Sequence, residues 1–458
     1  VFFAAPNIPY PAWLNPGDNT WQLVAATLVG LMSIPALAVL YGGLVQKKWI
    51  VNTMLMIFSG FSLTLVVWVL WGYNMAFGPQ AHLGATGSFW SGFVGKPHPI
   101  LSHLSEQGQA VSGTNTLVPF HFPTSSLAYF QFAFAAITPL LFLGGLIGRL
   151  KFKAWLLIVP LWITFVYCID AALMWGGGFF AQKGAVDYAG GFVIHLSAGV
   201  ASLVAAAIVG PRLKRDRTTV PSNLMMVAIG AGLLWLGWNG FNGGASYYAG
   251  ADAAAAVLNT NVATAVGVLT WMAMDMVFSR QKKPTFLGAI NGMICGLVAI
   301  TPSAGFVNGL GAIVVGLTAS TLVWVSWNYL SRVRPFSRVD DALGVVYTHG
   351  IAGLLGGLLV GLVSDPGMIV YPAGEGPAFS VGGWFYTGSF HQLWEQFLAA
   401  TWVIIFTAVG TAIIFFLVKK LVGLRETDAV LEVGDLAIHD EEAFPTETFA
   451  ERVNSLGR

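Results

Sequence analysis

The chain has 458 residues, of which 56% are hydrophobic and only 9% charged. Soluble domains carry about 25% charged residues, so this composition excludes an ordinary soluble enzyme. A formal net charge of +1 leaves no bulk field for nucleic acid, and what remains is a polytopic membrane protein.

No basic stretch precedes the first apolar segment, so no uncleaved signal peptide is expected. A membrane helix needs about 20 predominantly apolar residues to cross about 30 Å of hydrocarbon. Eleven stretches meet that need, near residues 20–43, 51–77, 125–148, 154–176, 188–210, 221–243, 253–279, 285–301, 306–330, 342–363 and 397–418. The eighth and ninth are separated only by Thr301-Pro302-Ser303-Ala304-Gly305, which reads as a tight turn. These runs are long and continuously apolar, unlike the short alternating segments of a β-barrel. The expected fold is therefore an all-α polytopic membrane protein with eleven transmembrane helices.

Basic residues in the connections set its orientation. Lys47 and Lys48 follow the first span, Arg149, Lys151 and Lys153 the third, and Arg212, Lys214, Arg215 and Arg217 the fifth. Arg280, Lys282 and Lys283 follow the seventh, Arg332, Arg334 and Arg338 the ninth. Lys419, Lys420, Arg425, Arg452 and Arg458 follow the last. Only Lys96 and Lys183 fall on the other side. This asymmetry predicts an external N-terminus and a cytoplasmic C-terminus. Residues 1–421 then form the helical domain, with external loops at 78–124 and 364–396, and 422–458 a cytoplasmic tail without a core of its own. Cys168 and Cys295 both fall in apolar stretches and read as small buried hydrophobes.

Of the eight histidines, His82, His98, His103, His121, His391 and His439 fall in loops or tail and read as solvated. His195 and His349 lie within the fifth and tenth spans, where an ionisable side chain is by default a functional candidate. The alternative is a packing histidine bonded to a neighbouring helix. Span five reads Asp187-Tyr-Ala-Gly-Gly-Phe-Val-Ile-His195-Leu-Ser-Ala-Gly199, and span ten Asp341-Ala-Leu-Gly-Val-Val-Tyr-Thr-His349-Gly-Ile-Ala-Gly353. The shared spacing falls in the last members of two successive sets of five. An odd number of spans inverts the second set, so two inverted five-helix repeats plus a final helix are expected, with the histidines facing each other near the midplane. Neutral imidazoles each have one donor and one acceptor. A pair sharing one proton suits a small hydrogen-bonding solute, or a proton relay, better than an alkali ion that needs an oxygen cage.

Aromatic residues complete the pattern: Phe130 and Phe134 open span three, Trp175 ends span four on the outer side and Phe241 ends span six. Ring faces at a pore mouth attract a cation, although each ring taken singly also suits an interfacial belt. Asp170 in span four is expected to bond to backbone or a neighbouring helix, with a place in the vestibule as the alternative, and Asp275 in span seven to find a partner among the basic loops.

The runs Trp175-Gly-Gly-Gly, Asp187-Tyr-Ala-Gly-Gly, Gly237-Trp238-Asn-Gly-Phe241-Asn242, Ile300-Thr-Pro and Asp340-Asp341 leading to His349-Gly350 resemble the ammonium transporter (Amt/Mep/Rh) family over essentially the whole chain. The resemblance implies a homotrimer in the cell membrane, each subunit with its own pore. It implies that Trp175 and Phe134 recruit external ammonium, with Phe130 in the outer vestibule and Asp187 as a structural and electrostatic aid. It further implies that Phe134 and Phe241 form a hydrophobic gate above the paired histidines His195 and His349. Ala245 stands where the family often has a serine, so one hydroxyl acceptor is missing from the recruitment site. The tail opens Gly423-Leu424-Arg425 as in the family, but Val433-Gly434-Asp435 replaces the usual Gly-Leu-Asp. A PII-type signal protein is the implied cytoplasmic partner.

The expected activity is passage of ammonium or ammonia, with deprotonation easing entry into the apolar tube. Its proton either returns outside or follows the histidines. An ammonium sensor of the same fold is the alternative, and a conduit for another neutral solute a further one. An enzyme is not expected, since no His-Glu-x-x-His or comparable ligand spacing appears, and no cofactor, metal or nucleic-acid partner is implied.

Overall fold

In the computed structural model, residues 11–85, 87–111, 120–218, 220–370 and 379–445 are described. Arg452 and Arg458, counted above for orientation, lie outside them. Among the described residues regular structure is helical, apart from isolated β-bridges such as Leu150 with Arg425. Among these residues ten helices are long and apolar enough to cross a membrane: α1 Pro16–Leu44, α2 Lys47–Phe77, α3 Thr124–Leu143, α4 Phe152–Lys183, α5 Gly191–Val209, α6 Leu224–Gly244, α7 Ala251–Phe278, α9 Gly309–Arg332, α10 Val346–Val363 and α11 His391–Val422. Between α7 and α9 lies α8, Phe286–Ile300, apolar but only 15 residues long.

Of the eleven expected spans, then, ten have full length and one is short. The reason is local. Pro302 cannot continue the helix, and residues 301–306 turn the chain before α9 begins. Thr285 caps α8 through its side chain on Gly288 N, and Asn308 caps α9 on Gly311 N. α1 starts at an Asn15 cap followed by Pro16. It deforms at Ile34 (φ −129°, ψ 108°), the residue before Pro35, because a proline disfavours the α region one residue upstream.

Small residues set the depth at which the helices pack. A Cβ on Gly292 of α8 would lie 2.5 Å from the Gly267 carbonyl of α7, and one on Gly316 of α9 would lie 2.4 Å from the Ala263 carbonyl. Such close backbone approach is the usual means of helix association in lipid, where no hydrophobic drive acts between helices.

The tail is more ordered than its polar composition predicts. After Gly423 turns the chain at φ +71°, Leu424 and Leu431 are buried. Glu426 N–H bonds to the Arg149 carbonyl at 3.0 Å and Lys151 N–H to the Leu424 carbonyl at 2.8 Å. The Asp435 carboxylate accepts from Val51 N and Asn52 N at 2.7 and 2.9 Å, near the start of α2. His439, expected in solvent, instead bonds Asn52 Oδ1 at 2.9 Å and meets the Phe152 ring edge-on.

Candidate functional site

The fifth and tenth helices start in the same way. Asp187 precedes α5 and its carboxylate accepts backbone N–H groups of Gly190, Gly191, Phe192 and Val193 at 2.6–3.1 Å. Asp341 precedes α10 and accepts from Val346 N at 2.8 Å and from the Ser202 hydroxyl at 3.3 Å. Each carboxylate satisfies helix-terminal donors that have no partner within the helix. Both first turns are wide, with hydrogen bonds that span five residues, as from His195 N–H to the Gly190 carbonyl at 3.1 Å. A π-type turn of this kind rotates the following side chain relative to an ordinary α-turn, and such turns recur at functional sites.

The glycines of the shared motif explain how the two helices meet. A Cβ on Gly199 would stand 2.2 Å from Gly350 Cα, and one on Gly353 would stand 2.6 Å from the Gly191 carbonyl. That contact brings His195 and His349 together, with Nδ1 atoms 3.2 Å apart and ring centroids 5.3 Å apart. A hydrogen bond at that distance requires one Nδ1 to carry the proton and the other to accept it. Both rings are buried, and His195 Nε2 has no hydrogen-bond partner among the described residues.

An aromatic column runs outward from this pair. The rings of Trp238 and Phe241 lie nearly parallel to that of His195, at 5.3 and 5.8 Å. Phe134 sits 4.3 Å from Phe241, Phe130 is 4.6 Å from Phe134, and Trp175 meets Phe134 edge-on at 6.3 Å. The Trp175 indole N–H is spent on the Asp187 carbonyl at 2.7 Å, which leaves its ring for contact. Ala245 caps the end of α6, next to Gly244, where a Cβ would come within 2.5 Å of the Phe130 ring. Trp175, Phe134, Phe130, Phe241, His195 and His349 thus form one chain of contacts, and Asp187 joins it through its backbone.

Trp238 was quoted in a motif but not expected at the site. Its indole donates to Thr301 Oγ1 at 2.9 Å, so the Thr-Pro break after α8 anchors a ring against His195. The signal was its place one helical turn before Phe241. Phe77, which stacks on Trp175 at 6.4 Å, left no sequence signal beyond an apolar run. Asp275 pairs with the Trp324 indole at 2.8 Å rather than with a basic loop, and Asp170 accepts from Thr407 of α11 at 3.1 Å. His121, expected in solvent, lies 3.2 Å from Asp18.

Comparison with known proteins bears on this arrangement. Residues 20–444 match the sequence model of the Ammonium Transporter Family. The chain belongs to that family. It is 44% identical over 444 residues to ammonium transporter 2 of Arabidopsis thaliana, covering 96% of this chain and 90% of that protein. Ammonium transporter 3 member 2 of Oryza sativa subsp. japonica is 44% identical over 447 residues, covering 94% and 90%. The fold superposes on the crystal structure of Saccharomyces cerevisiae Mep2 with a TM-score of 0.78 at 28% identity, covering 92% of this chain and 91% of that one. The transporter is a multi-pass membrane protein, and its family is one of transporters, not enzymes.

Proposed function

We propose that this chain moves ammonium across the membrane by stripping it of water and a proton at the Trp175–Phe134 mouth, the proton returning to external water or following the histidines, and passing ammonia along His195 and His349. The single observation that carries this reading is the Nδ1–Nδ1 contact of 3.2 Å between two buried histidines directly beneath stacked rings. Removing an ion from water costs several kcal/mol even after relaxation, whereas a desolvated cation–π contact returns about 2 kcal/mol. Rings therefore hold the cation at the mouth but do not carry it through, and loss of the proton removes the larger cost. Trp175, Phe134, Phe130 and Asp187 form the recruitment site in this reading, with Ala245 at its edge. Phe134 and Phe241 form the gate, which thermal motion of the two rings opens.

The same reading takes α1–α11 as eleven crossings, N-terminus outside, built from two inverted repeats, with α8 completed across the bilayer by the turn that follows it. Exposed apolar side chains on α1, α6, α7 and α9, such as Leu23, Leu236, Leu258 and Leu317, suit burial in lipid and in a homotrimer. Residues 422–458 act as a cytoplasmic regulatory tail, with a PII-type protein as its partner.

Current recorded from reconstituted vesicles under an ammonium gradient, with potassium as control, tests the proposal together with its electrogenicity. His195→Ala with His349→Ala should abolish uptake or its discrimination against potassium. Undiminished and still selective uptake in the double variant would reject the pore assignment. Binding of ammonium with neither flux nor current would favour a sensor.

A further inference from the structure

Position 245 is Ala, so the recruitment site lacks the hydroxyl its sequence motif would lead one to expect. Ring faces attract a cation but accept no directed hydrogen bond of ordinary strength, and an ammonium that sheds water needs acceptors for its N–H groups. We infer that Gln131 supplies that acceptor and that Tyr247 holds it in place, an inference that rests on reading the Trp175–Phe134 mouth as the recruitment site.

Gln131 follows Phe130 and precedes Phe134 by one turn of α3, and it is only 3% exposed. Its Nε2 donates to the Tyr247 hydroxyl at 2.7 Å. Its other end, Oε1, is buried with no hydrogen-bond partner among the described residues. A buried carbonyl oxygen left unbonded is costly, and native structures usually satisfy such an atom with water or ligand. An ammonium N–H is one such partner.

Tyr247 lies two residues past Ala245 and adopts φ +62°, a left-handed backbone that a residue with a Cβ takes at a cost. That conformation is held by Tyr247 N–H on the Gly244 carbonyl at 3.0 Å. The ring is clasped by Phe120 at 4.8 Å and Phe130 at 6.1 Å. With the amide nitrogen engaged by Tyr247, the amide oxygen is the end left for a ligand. A neutral acceptor binds an N–H donor directionally without the electrostatic trap of a carboxylate, and one oxygen is a poor substitute for the cage potassium requires.

Initial rates of ammonium uptake against concentration, in cells without ammonium uptake of their own and normalised to transporter at the surface, test the inference. Gln131→Leu should raise the half-saturating concentration about tenfold with the maximal rate retained, the scale of a lost hydrogen bond to a charged group. Tyr247→Phe should raise it about threefold, since the amide is freed to rotate. Ala245→Ser added to Gln131→Leu should restore it to within about threefold of the parent, because a hydroxyl again accepts. If Gln131→Leu leaves half-saturation unchanged while Trp175→Leu raises it, the Gln131 inference falls and the recruitment site stands. If neither changes it, the recruitment reading falls as well. Should Gln131→Leu not reach the surface, Gln131→Glu decides. It should lower half-saturation and slow the maximal rate, and a raised half-saturation would overturn the inference.

Discussion

At the scale of single residues, buried hydrogen bonds decide where the rings of the conduit stand. Trp238 is 2% exposed and lies against His195, with its one donor on Thr301. Thr301→Val keeps the shape and removes the acceptor, which strands a buried N–H at a cost of about 1–3 kcal/mol. The expected outcome is a lower unfolding midpoint in detergent and uptake reduced severalfold, because the ring beside His195 is free to tilt. An unchanged midpoint and rate would mean that packing alone holds the indole. Hydrogen bonds of this kind join residues far apart in the chain and leave no trace in composition or periodicity. That is why Trp238, Gln131 and Tyr247 were absent from the sequence-derived site while Trp175 and the histidines were present. The latter stand in motifs whose spacing is local.

At the scale of elements, the Asp-to-His-to-Gly spacing has a mechanical meaning. The carboxylate caps the helix, the wide first turn aims the imidazole, and the glycine lets the partner helix approach. Gly199→Ala places a methyl 2.2 Å from Gly350 Cα, so α5 and α10 must move apart and the histidines with them. Uptake should fall by an order of magnitude or more, on the scale expected when a reacting geometry shifts by about 1 Å. Gly232→Ala on α6 is the matched control. No neighbour lies within 4 Å of its Cβ position, and a helical Gly-to-Ala change gains up to about 1 kcal/mol, so uptake should be unaffected. Equal losses in both variants would show that the effect is not one of helix spacing. The short α8 belongs to this scale too: hydropathy marks where an apolar run begins and ends, but the length of the helix within it depends on where Pro302 stops it.

At the scale of the whole molecule, the tail is tied to the start of α2 and to the segment between α5 and α6. Lys48 Nζ reaches Asp216 at 3.0 Å and the Leu431 carbonyl at 2.8 Å, and Arg215 pairs with Glu432. Burial, with Glu442 nearby, holds the Asp435 carboxyl up at about 6, against the backbone donors of Ile50, Val51 and Asn52 that pull it down. A carboxyl whose docked value lies above its free value of about 3.9 favours docking most at low pH, and that contribution is lost as pH rises through about 6. Amide exchange in residues 428–439 should accordingly quicken between pH 5 and 7.5, and the Asp435→Asn variant should show no such trend beyond the intrinsic rate. A parent trend equal to that of the variant would exclude Asp435 as the titrating group. The polar, acidic composition of this segment predicted solvation. It docks because Leu424 and Leu431 find apolar recesses and Asp435 finds unpaired helix-terminal N–H groups, partners that exist only once α2 and α4 are in place.

Sequence by itself determined the solvent this protein lives in, the approximate place of every long helix and the residues on which its family resemblance rests. Each of these follows from runs of about 20 residues or from spacings within one or two helical turns, where local chemistry suffices. The tertiary structure alone decided that His195 and His349 meet at Nδ1, that Trp238 leans on Thr301, that Gln131 leaves one oxygen unbonded and that the tail lies against α2. Those outcomes depend on how closely helices pack, and packing distance is a property of the assembled bundle rather than of any segment.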